Sequence, residues 1–263
     1  MKNILKNEYD IQQMRISGKI TANVLEMIEP YIVPNASTED IDKICYYYIT
    51  QVKQAIPACL GYKNFPKSIC ISINDVVCHG IPNKKLLLKN GDIVNIDVSV
   101  IKNNYYTDAS KMFFVGSVSK KNKLLCKIAK KSLYLSLKCI KNKKKINTIG
   151  KIIQQYVEKK NFSVVKEYCG HGIGKNFHEF PHILHFYNQN DYIIMQTGMI
   201  FTIEPMVNEK APFVHCMEDG WTVKTKDGGL SAQYEHTILV TKHGCEIITH
   251  QKNEKIPKIL FNT

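Results

Sequence analysis

Hydrophobic positions recur along this chain first with a helical period and then with a strand period, and the sequence of the two repeats. Ile11, Met14, Gly18, Ala22, Leu25 and Ile28 fall on one helical face. Ser37 with Asp40 forms a capping box for a second helix carrying Ile41, Ile44, Cys45, Tyr48, Ile49 and Val52. A third helix is predicted from Leu125, Ile128, Ala129, Ser132, Leu135 and Cys139. A fourth, capped by Asn147 or Thr148, bears Ile149, Ile152, Ile153, Tyr156 and Val157. Strand-like runs follow each helix pair: 69–77, 93–101 and 105–115, then 163–168, 199–207, 221–225 and 233–240. Two helices and then strands, twice over, predict an α+β fold with one curved antiparallel sheet backed by two pairs of helices.

Local motifs repeat in the same order. Gly91-Asp-Ile-Val-Asn-Ile-Asp97 matches Gly198-Met-Ile-Phe-Thr-Ile-Glu204 at an offset of 107, and His79-Gly80-Ile81 matches His171-Gly172-Ile173. Asp108 precedes Met112-Phe113-Phe114-Val115 as Glu235 precedes Ile238-Leu239-Val240. Three echoes in order predict two related halves, about 8–116 and 117–250, with a pseudo-twofold internal repeat. No Gly/Pro/Ser-rich linker divides them, so residues 1–263 are expected to form one catalytic domain, with 251–263 as a basic, peripheral tail.

Composition narrows the class. Hydrophobic residues are 44% and charged residues 22% of 263, an ordinary globular balance that excludes a disordered chain. The most apolar stretch, Tyr192 to Val207, is broken by Gln196, Gly198, Glu204 and Pro205, so no membrane span is expected. Met1 to Asp10 lacks an apolar signal-peptide core, which points to a cytoplasmic protein. The nine cysteines form no Cys-x-x-Cys pair and are expected to be buried free thiols. The net charge of +13 invites a nucleic-acid reading, but Arg15 is the only arginine among 36 basic residues. Phosphate and base readers favour arginine for its planar fork. The charge is therefore expected to reflect AT-rich codon drift on solvated surface, the run Lys141 to Lys145 included. It leaves room for a weak, salt-sensitive association with an RNA-rich partner such as a ribosome, and for no specific nucleic acid.

Acids on apolar strands carry the candidate chemistry. Asp97 interrupts Ile93-Val94-Asn95-Ile96-Asp97-Val98, and Lys102-Asn103-Asn104 predicts a hairpin turn. Asp108 then falls opposite about Ser99, on the sheet face of Asp97, so the two carboxylates become diagonal neighbours. Glu204 ends the apolar run Met199-Ile-Phe-Thr-Ile203, Glu235 heads Thr237-Ile-Leu-Val240, and His171 sits between glycines in Gly170-His-Gly-Ile-Gly174. A buried carboxylate costs several kcal/mol unless it is paired or metal-bound. One histidine and four carboxylates make a hard, oxygen-rich ligand set. It disfavours structural zinc and suits two divalent ions, with manganese, iron(II), cobalt or catalytic zinc as candidates.

Gly170-His-Gly-Ile-Gly174, the Asp97/Asp108 hairpin, Thr202-Ile-Glu-Pro205 and Tyr234-Glu-His-Thr237 resemble the type I methionine aminopeptidases over about residues 3–250. The resemblance implies the pita-bread fold and a dinuclear metal centre. In it Asp97 is a terminal ligand of one metal, His171 and Glu204 bind the other, and Asp108 and Glu235 bridge. His79 and His178 match the family's two non-ligand histidines, the first near the scissile nitrogen and the second at the oxyanion. Glu204 matches the proton shuttle. Cys59, Tyr62, Phe65, Cys70, Phe177 and Trp221 match the pocket for the methionine side chain. Phe65 departs from a tyrosine common at that position and drops a hydroxyl. A monovalent-cation site maps to Asn74, Val76 and Ser231. The implied activity is removal of the N-terminal methionine from nascent polypeptides after deformylation, with a small, uncharged second residue preferred, by a monomer of the short bacterial form.

Two other readings compete. Prolidase and aminopeptidase P carry a similar metal set but usually an extra N-terminal domain, and the Cys/aromatic pocket argues against them. A catalytically dead relative docking on RNA would suit the +13 charge, but such relatives lose ligands and here all five positions are filled.

Overall fold

A computed structural model describes residues 4–261. Helix α1 (Glu8–Met27) and helix α2 (Thr38–Tyr47) come first. Strands β1 (Ile56–Pro57), β2 (Cys70–Ile73), β3 (Val76–Cys78), β4 (Ile93–Lys102) and β5 (Tyr105–Phe114) follow. Helices α3 (Lys120–Leu137) and α4 (Asn147–Glu158) open the rest of the chain. Then come β6 (Ser163–Val164), β7 (Gly170–Gly172), β8 (Glu179–Ile183), β9 (Ile200–Ile203), β10 (Met206–Asn208) and β11 (Val214–Cys216). The last are β12 (Val223–Thr225), β13 (Ser231–Gln233), β14 (His236–Val240), β15 (Gly244–Ile247) and β16 (Ile259–Phe261). The fold is mixed α+β. Among the described residues no helix is long and apolar enough to cross a membrane.

The helices form where the periodicity puts them, but their caps differ. The reciprocal capping box sits on α1, where the Asn7 side chain accepts the Asp10 N–H at 2.8 Å and Asp10 accepts the Asn7 N–H at 3.2 Å. Ser37 caps α2 one way only, accepting the Asp40 N–H at 3.4 Å. Neither Asn147 nor Thr148 caps α4; the Thr148 hydroxyl turns back to the Lys145 carbonyl at 2.6 Å instead. The apolar faces bury as expected. Val24, Leu25, Ile41 and Ile49 pack on Val94, Ile96 and Val98 of β4. Leu125, Ile128, Ile149 and Ile153 pack against Phe201, Ile203 and Ile238 of β9 and β14.

The expected single sheet is hydrogen-bonded as four, every strand pair antiparallel. Its breaks are informative. β9 pairs with β14 and β10 with β13, so 200–208 and 231–240 run side by side except at two interruptions, Glu204-Pro205 and Tyr234-Glu235. Proline has no N–H to give a ladder, so the first interruption is written into the chain. Glu235 instead exchanges backbone hydrogen bonds with Ser110 of β5, at 3.1 and 3.4 Å, and so ties the β4–β5 hairpin to the second set of strands. In that hairpin Asn103 and Asn104 both have positive φ (52° and 65°), as a tight two-residue turn requires, and Ser99 lies opposite Asp108.

The tail, largely exposed, adds an edge strand to one sheet. β16 pairs with β15, and Glu254, on the stretch between them, reaches buried His236 at 3.0 Å. All nine cysteines are free; six are buried and Cys216 is exposed.

Candidate metal centre and its pocket

A cavity of ≈ 430 Å³ opens where β4, β5, β7 and the two strand interruptions meet. Every catalytic, substrate-pocket and metal-ligand residue singled out from the sequence lines it. Asp97 sits on β4 opposite Cys70, and Asp108 on β5 opposite Ser99, whose hydroxyl donates to Asp108 Oδ1 at 2.8 Å. His171 comes from β7. Side chains at its two flanking glycines would meet the Thr202 and Phe180 carbonyl oxygens at 2.4 Å, so only glycine lets β7 lie this close to its neighbours. Glu204 and Glu235 occupy the two interruptions, and Glu235 is held there by its backbone bonds to Ser110.

These five side chains make the floor of the cavity. Ligand atoms of Asp108, His171 and Glu235 all lie within 4.8 Å of one another, and His171 Nε2 is 3.7 Å from Glu204 Oε1. His171 Nδ1 is 3.0 Å from the Gly172 carbonyl, which can only accept, so Nδ1 carries the proton and Nε2 keeps its lone pair toward the acids. Burial holds this imidazole neutral, with its pKa pulled down to about 3. Thr202 bonds Glu204 Oε1 at 2.7 Å and accepts the His171 N–H at 3.0 Å, orienting both.

The carboxyls are under strain as they stand. Burial first, and Asp108 second, push Asp97 and Glu235 well above the ordinary carboxylate range. Burial likewise lifts Glu204 to about 8 and Asp108 to about 6. Asp97 Oδ1 and Glu235 Oε1 are buried with no hydrogen-bond partner. Four carboxyls this close cannot all ionise in a dry site without a cation, and buried polar atoms are seldom left unsatisfied. Two orphaned oxygens, four closely set acids and an imidazole with its lone pair turned inward fit a divalent metal centre.

The wall beside this floor is lined by thiols and aromatic rings, and Cys59 Sγ lies 3.4 Å from the Ser99 hydroxyl that bonds Asp108. Cys59, Phe65, Cys70 and Trp221 make this wall, with Phe65 and Trp221 edge to face at 5.1 Å between centroids. The hydrogen bond with Cys59 first, then burial and the charges of Asp97 and Asp108, push the Cys70 thiol well above its ordinary value and keep it protonated. His178 stands beside the floor: its Nδ1 is 2.9 Å from the Tyr62 hydroxyl, and its ring centroid is 4.1 Å from that of His171. Burial draws its pKa to about 4, so it is neutral. His79 also lines the cavity, edge-on to Trp221 at 5.9 Å, with φ 56°, a left-handed conformation unusual outside glycine. The His79 and His171 echo therefore does not extend to backbone conformation.

Residues 12–242 match the family profile of Metallopeptidase family M24. The chain belongs to this family. It is 62% identical over 262 residues to the methionine aminopeptidase of Buchnera aphidicola subsp. Acyrthosiphon pisum (strain APS), covering 100% of this chain and 99% of that one. To the methionine aminopeptidase of Escherichia coli (strain K12) it is 54% identical over 256 residues, 97% of each. The crystal structure of methionine aminopeptidase from Rickettsia prowazekii superposes with a TM-score of 0.91 at 46% identity, covering 94% of this chain and 99% of that one. The prolidase from Pyrococcus furiosus shares the fold, with a TM-score of 0.73 at 19% identity, and this chain spans 67% of its length.

Ser99, Tyr168, Cys169, His182 and Met206 also line this M24 cavity and were not singled out from the sequence. Ser99 and Met206 read as ordinary strand residues until their partners are known. Cys169 and His182 lie 3.7 Å apart across β7 and β8, a register no local pattern announces. Asn74 and Ser231 are brought together by a backbone hydrogen bond of 2.8 Å, with Val76 at the start of β3.

Proposed function

We infer that the chain is a methionyl aminopeptidase, hydrolysing the first peptide bond of polypeptides that begin with methionine. The observation that carries this reading is one cavity that joins an acidic floor to a thiol- and aromatic-lined wall. A thioether is soft and polarisable and suits sulfur and ring edges.

Asp97, Asp108, His171, Glu204 and Glu235 would hold two divalent ions, Asp97 on one, His171 and Glu204 on the other, Asp108 and Glu235 on both. Cobalt, manganese, iron(II) or zinc fits that donor set. Bound there, the ions supply a water acidic enough to act as nucleophile near neutral pH. The chain's own groups do the rest. The pocket of Cys59, Tyr62, Phe65, Cys70, Phe177 and Trp221 holds the methionine side chain and fixes the scissile carbonyl near the floor. With the Tyr62 hydroxyl donating to His178 Nδ1, Nε2 carries the proton and bonds the carbonyl oxygen as charge grows there. Glu204 takes the water proton at Oε2, the oxygen Thr202 does not hold, and returns it to the leaving amine. His79 bonds near the scissile nitrogen and aligns the second residue. Small, uncharged second residues are preferred. The substrate is the deformylated chain, since a formamide nitrogen has no basic lone pair to bring to the floor.

In this reading residues 1–263 are one catalytic domain of two pseudo-twofold halves, acting as a cytoplasmic monomer on nascent chains and in weak contact with ribosomes. A monovalent cation near Asn74, Val76 and Ser231 would brace β3 against β13. The test is release of free methionine from Met-Ala-Ser and Met-Lys-Ser by metal-loaded protein. The reading expects rapid release from the first and slow release from the second. Equal rates on both, or faster cleavage of Xaa-Pro dipeptides, would overturn it.

A further inference from the structure

The net charge of the chain is not spread over its surface. Residues 119–160 contain fourteen lysines and a single acid, Glu158, so this segment alone carries +13, the formal charge of the whole protein. Everything outside it balances. The segment comprises α3, the loop to α4, and α4. Thirteen of its lysines are exposed, and Lys141 is half-buried. None of the fourteen lines the cavity.

Codon drift toward lysine does not account for this. Drift acts on every exposed position, and the molecule contains its own control. Residues 7–52, which hold α1 and α2, back the sheet in the same manner and expose comparable surface. They carry three basic and seven acidic residues, a net −4. Two helix pairs of one protein, under one codon bias, therefore differ in sign. Lysines this dense along one segment repel one another, a cost that a polyanionic partner or salt offsets, although Lys121 is paired with Glu209.

We propose that the outer surface of α3, the α3–α4 loop and α4 docks on the phosphate backbone of a folded RNA. Lysine without arginine supplies point charges and no base-reading fork, so the contact is independent of sequence. Aromatic rings stand among the lysines: Lys131 lies over Tyr156 at 5.7 Å, Lys151 over Tyr187 at 5.5 Å and Lys145 over Tyr192 at 5.9 Å. Tyr187 and Tyr192 are 48% and 68% exposed and offer planes on which unpaired bases can stack. An anionic membrane is disfavoured. Interfacial helices insert a broad apolar face, and along α3 and α4 the only large apolar side chain fully exposed among the described residues is Leu124. The cavity's chemistry stands apart from this surface, so the two claims fail separately.

The test compares two quintuple variants of equal net charge. One neutralises the surface at Lys120→Gln, Lys127→Gln, Lys138→Gln, Lys143→Gln and Lys144→Gln. The other neutralises Lys84→Gln, Lys85→Gln, Lys89→Gln, Lys226→Gln and Lys242→Gln, all exposed and outside it. Binding of a fluorescein-labelled RNA stem–loop is followed by anisotropy over a range of salt. Vesicles of phosphatidylcholine with phosphatidylserine, and poly-glutamate, serve as rival polyanions. Release of methionine from Met-Ala-Ser, with unchanged melting temperature, shows that each variant is folded. The proposal expects the first variant to bind RNA at least about tenfold more weakly, with the salt slope shallower by about 0.9 per lost phosphate contact. The second stays within about twofold of the parent. Equal loss in both variants would reduce the effect to net charge and overturn the proposal. So would no binding by the parent, or vesicles or poly-glutamate binding as tightly as RNA at the same salt.

Discussion

On the floor of the cavity four carboxyl groups stand with a neutral imidazole, and two carboxyl oxygens have no hydrogen-bond partner. On the adjoining wall two thiols stand with the rings of Phe65 and Trp221. The acidic floor is costly by itself and becomes stable only with something added. The wall is stable as it is and costs little to alter. Activity should therefore depend steeply on the first and specificity on the second. Glu246 sharpens the contrast from outside the cavity. It too is a buried acid, but Arg15 grips it at 2.7 and 3.1 Å and Lys258 stands at 3.3 Å. Burial would raise its pKa, but Arg15 and Lys258 hold it below the ordinary value. The same chemistry shifts in opposite directions according to whether the protein supplies the cation.

The largest effects should come from the floor. Asp108→Asn or Glu235→Gln should remove nearly all activity, more than the roughly 10–100-fold cost of losing an outer partner of a ligand. Either variant should also lower the metal content measured on the folded protein. Full stoichiometry with normal turnover would erase the difference between floor and wall. His178→Ala should lower kcat by about 10²-fold with KM little changed, because its bond strengthens only as the oxyanion forms. Steady-state kinetics on Met-Ala-Ser measure this, and Tyr62→Phe should give a smaller loss in the same direction.

The wall should behave differently. Cys59→Ala or Trp221→Ala should shrink the preference for methionine over leucine at the first position, a difference worth about 1–3 kcal/mol in such pockets. Both should narrow that preference more than they weaken metal binding. A loss of metal with selectivity intact would mean floor and wall are not separable.

The smallest effect tests the reference acid. Glu246 has a depressed pKa, so its contribution to stability is present above its unfolded value of about 4.5 and is lost as pH falls through the folded value. Arg15→Gln should cost about 2 kcal/mol at pH 7, with Lys258 still in place, and the deficit should narrow below about pH 4.5. Urea denaturation at a series of pH values measures it. A deficit that does not change with pH would assign the loss to packing.

What could be seen in the chain and what could not follows a physical line. The β4–β5 register was legible because two asparagines fix the turn and a period of two then places Asp108 opposite Ser99. The candidate acids were legible because carboxylates in Ile/Val runs need an explanation, while their roles as ligands rest on the family resemblance. The strand breaks were not: 199–207 and 233–240 read as continuous, and only pairing shows that Glu204 and Glu235 interrupt them. The supporting hydroxyls of Ser99, Thr202 and Thr237 look like common strand residues, and their roles depend on partners up to 129 residues away. Glu254 in the tail looked like solvated surface, because nothing local points to His236. Contacts close in sequence carry a pattern; contacts distant in sequence do not.

The most direct test of the account is a metal titration of the stripped protein. Manganese or cobalt would be added to chelator-treated enzyme while Met-Ala-Ser cleavage and the melting temperature are followed together. The account predicts no cleavage before addition, and activity and melting temperature rising in parallel, as the cation relieves the repulsion among Asp97, Asp108, Glu204 and Glu235. Full cleavage by the stripped protein, or activity restored with no change in melting temperature, would contradict it.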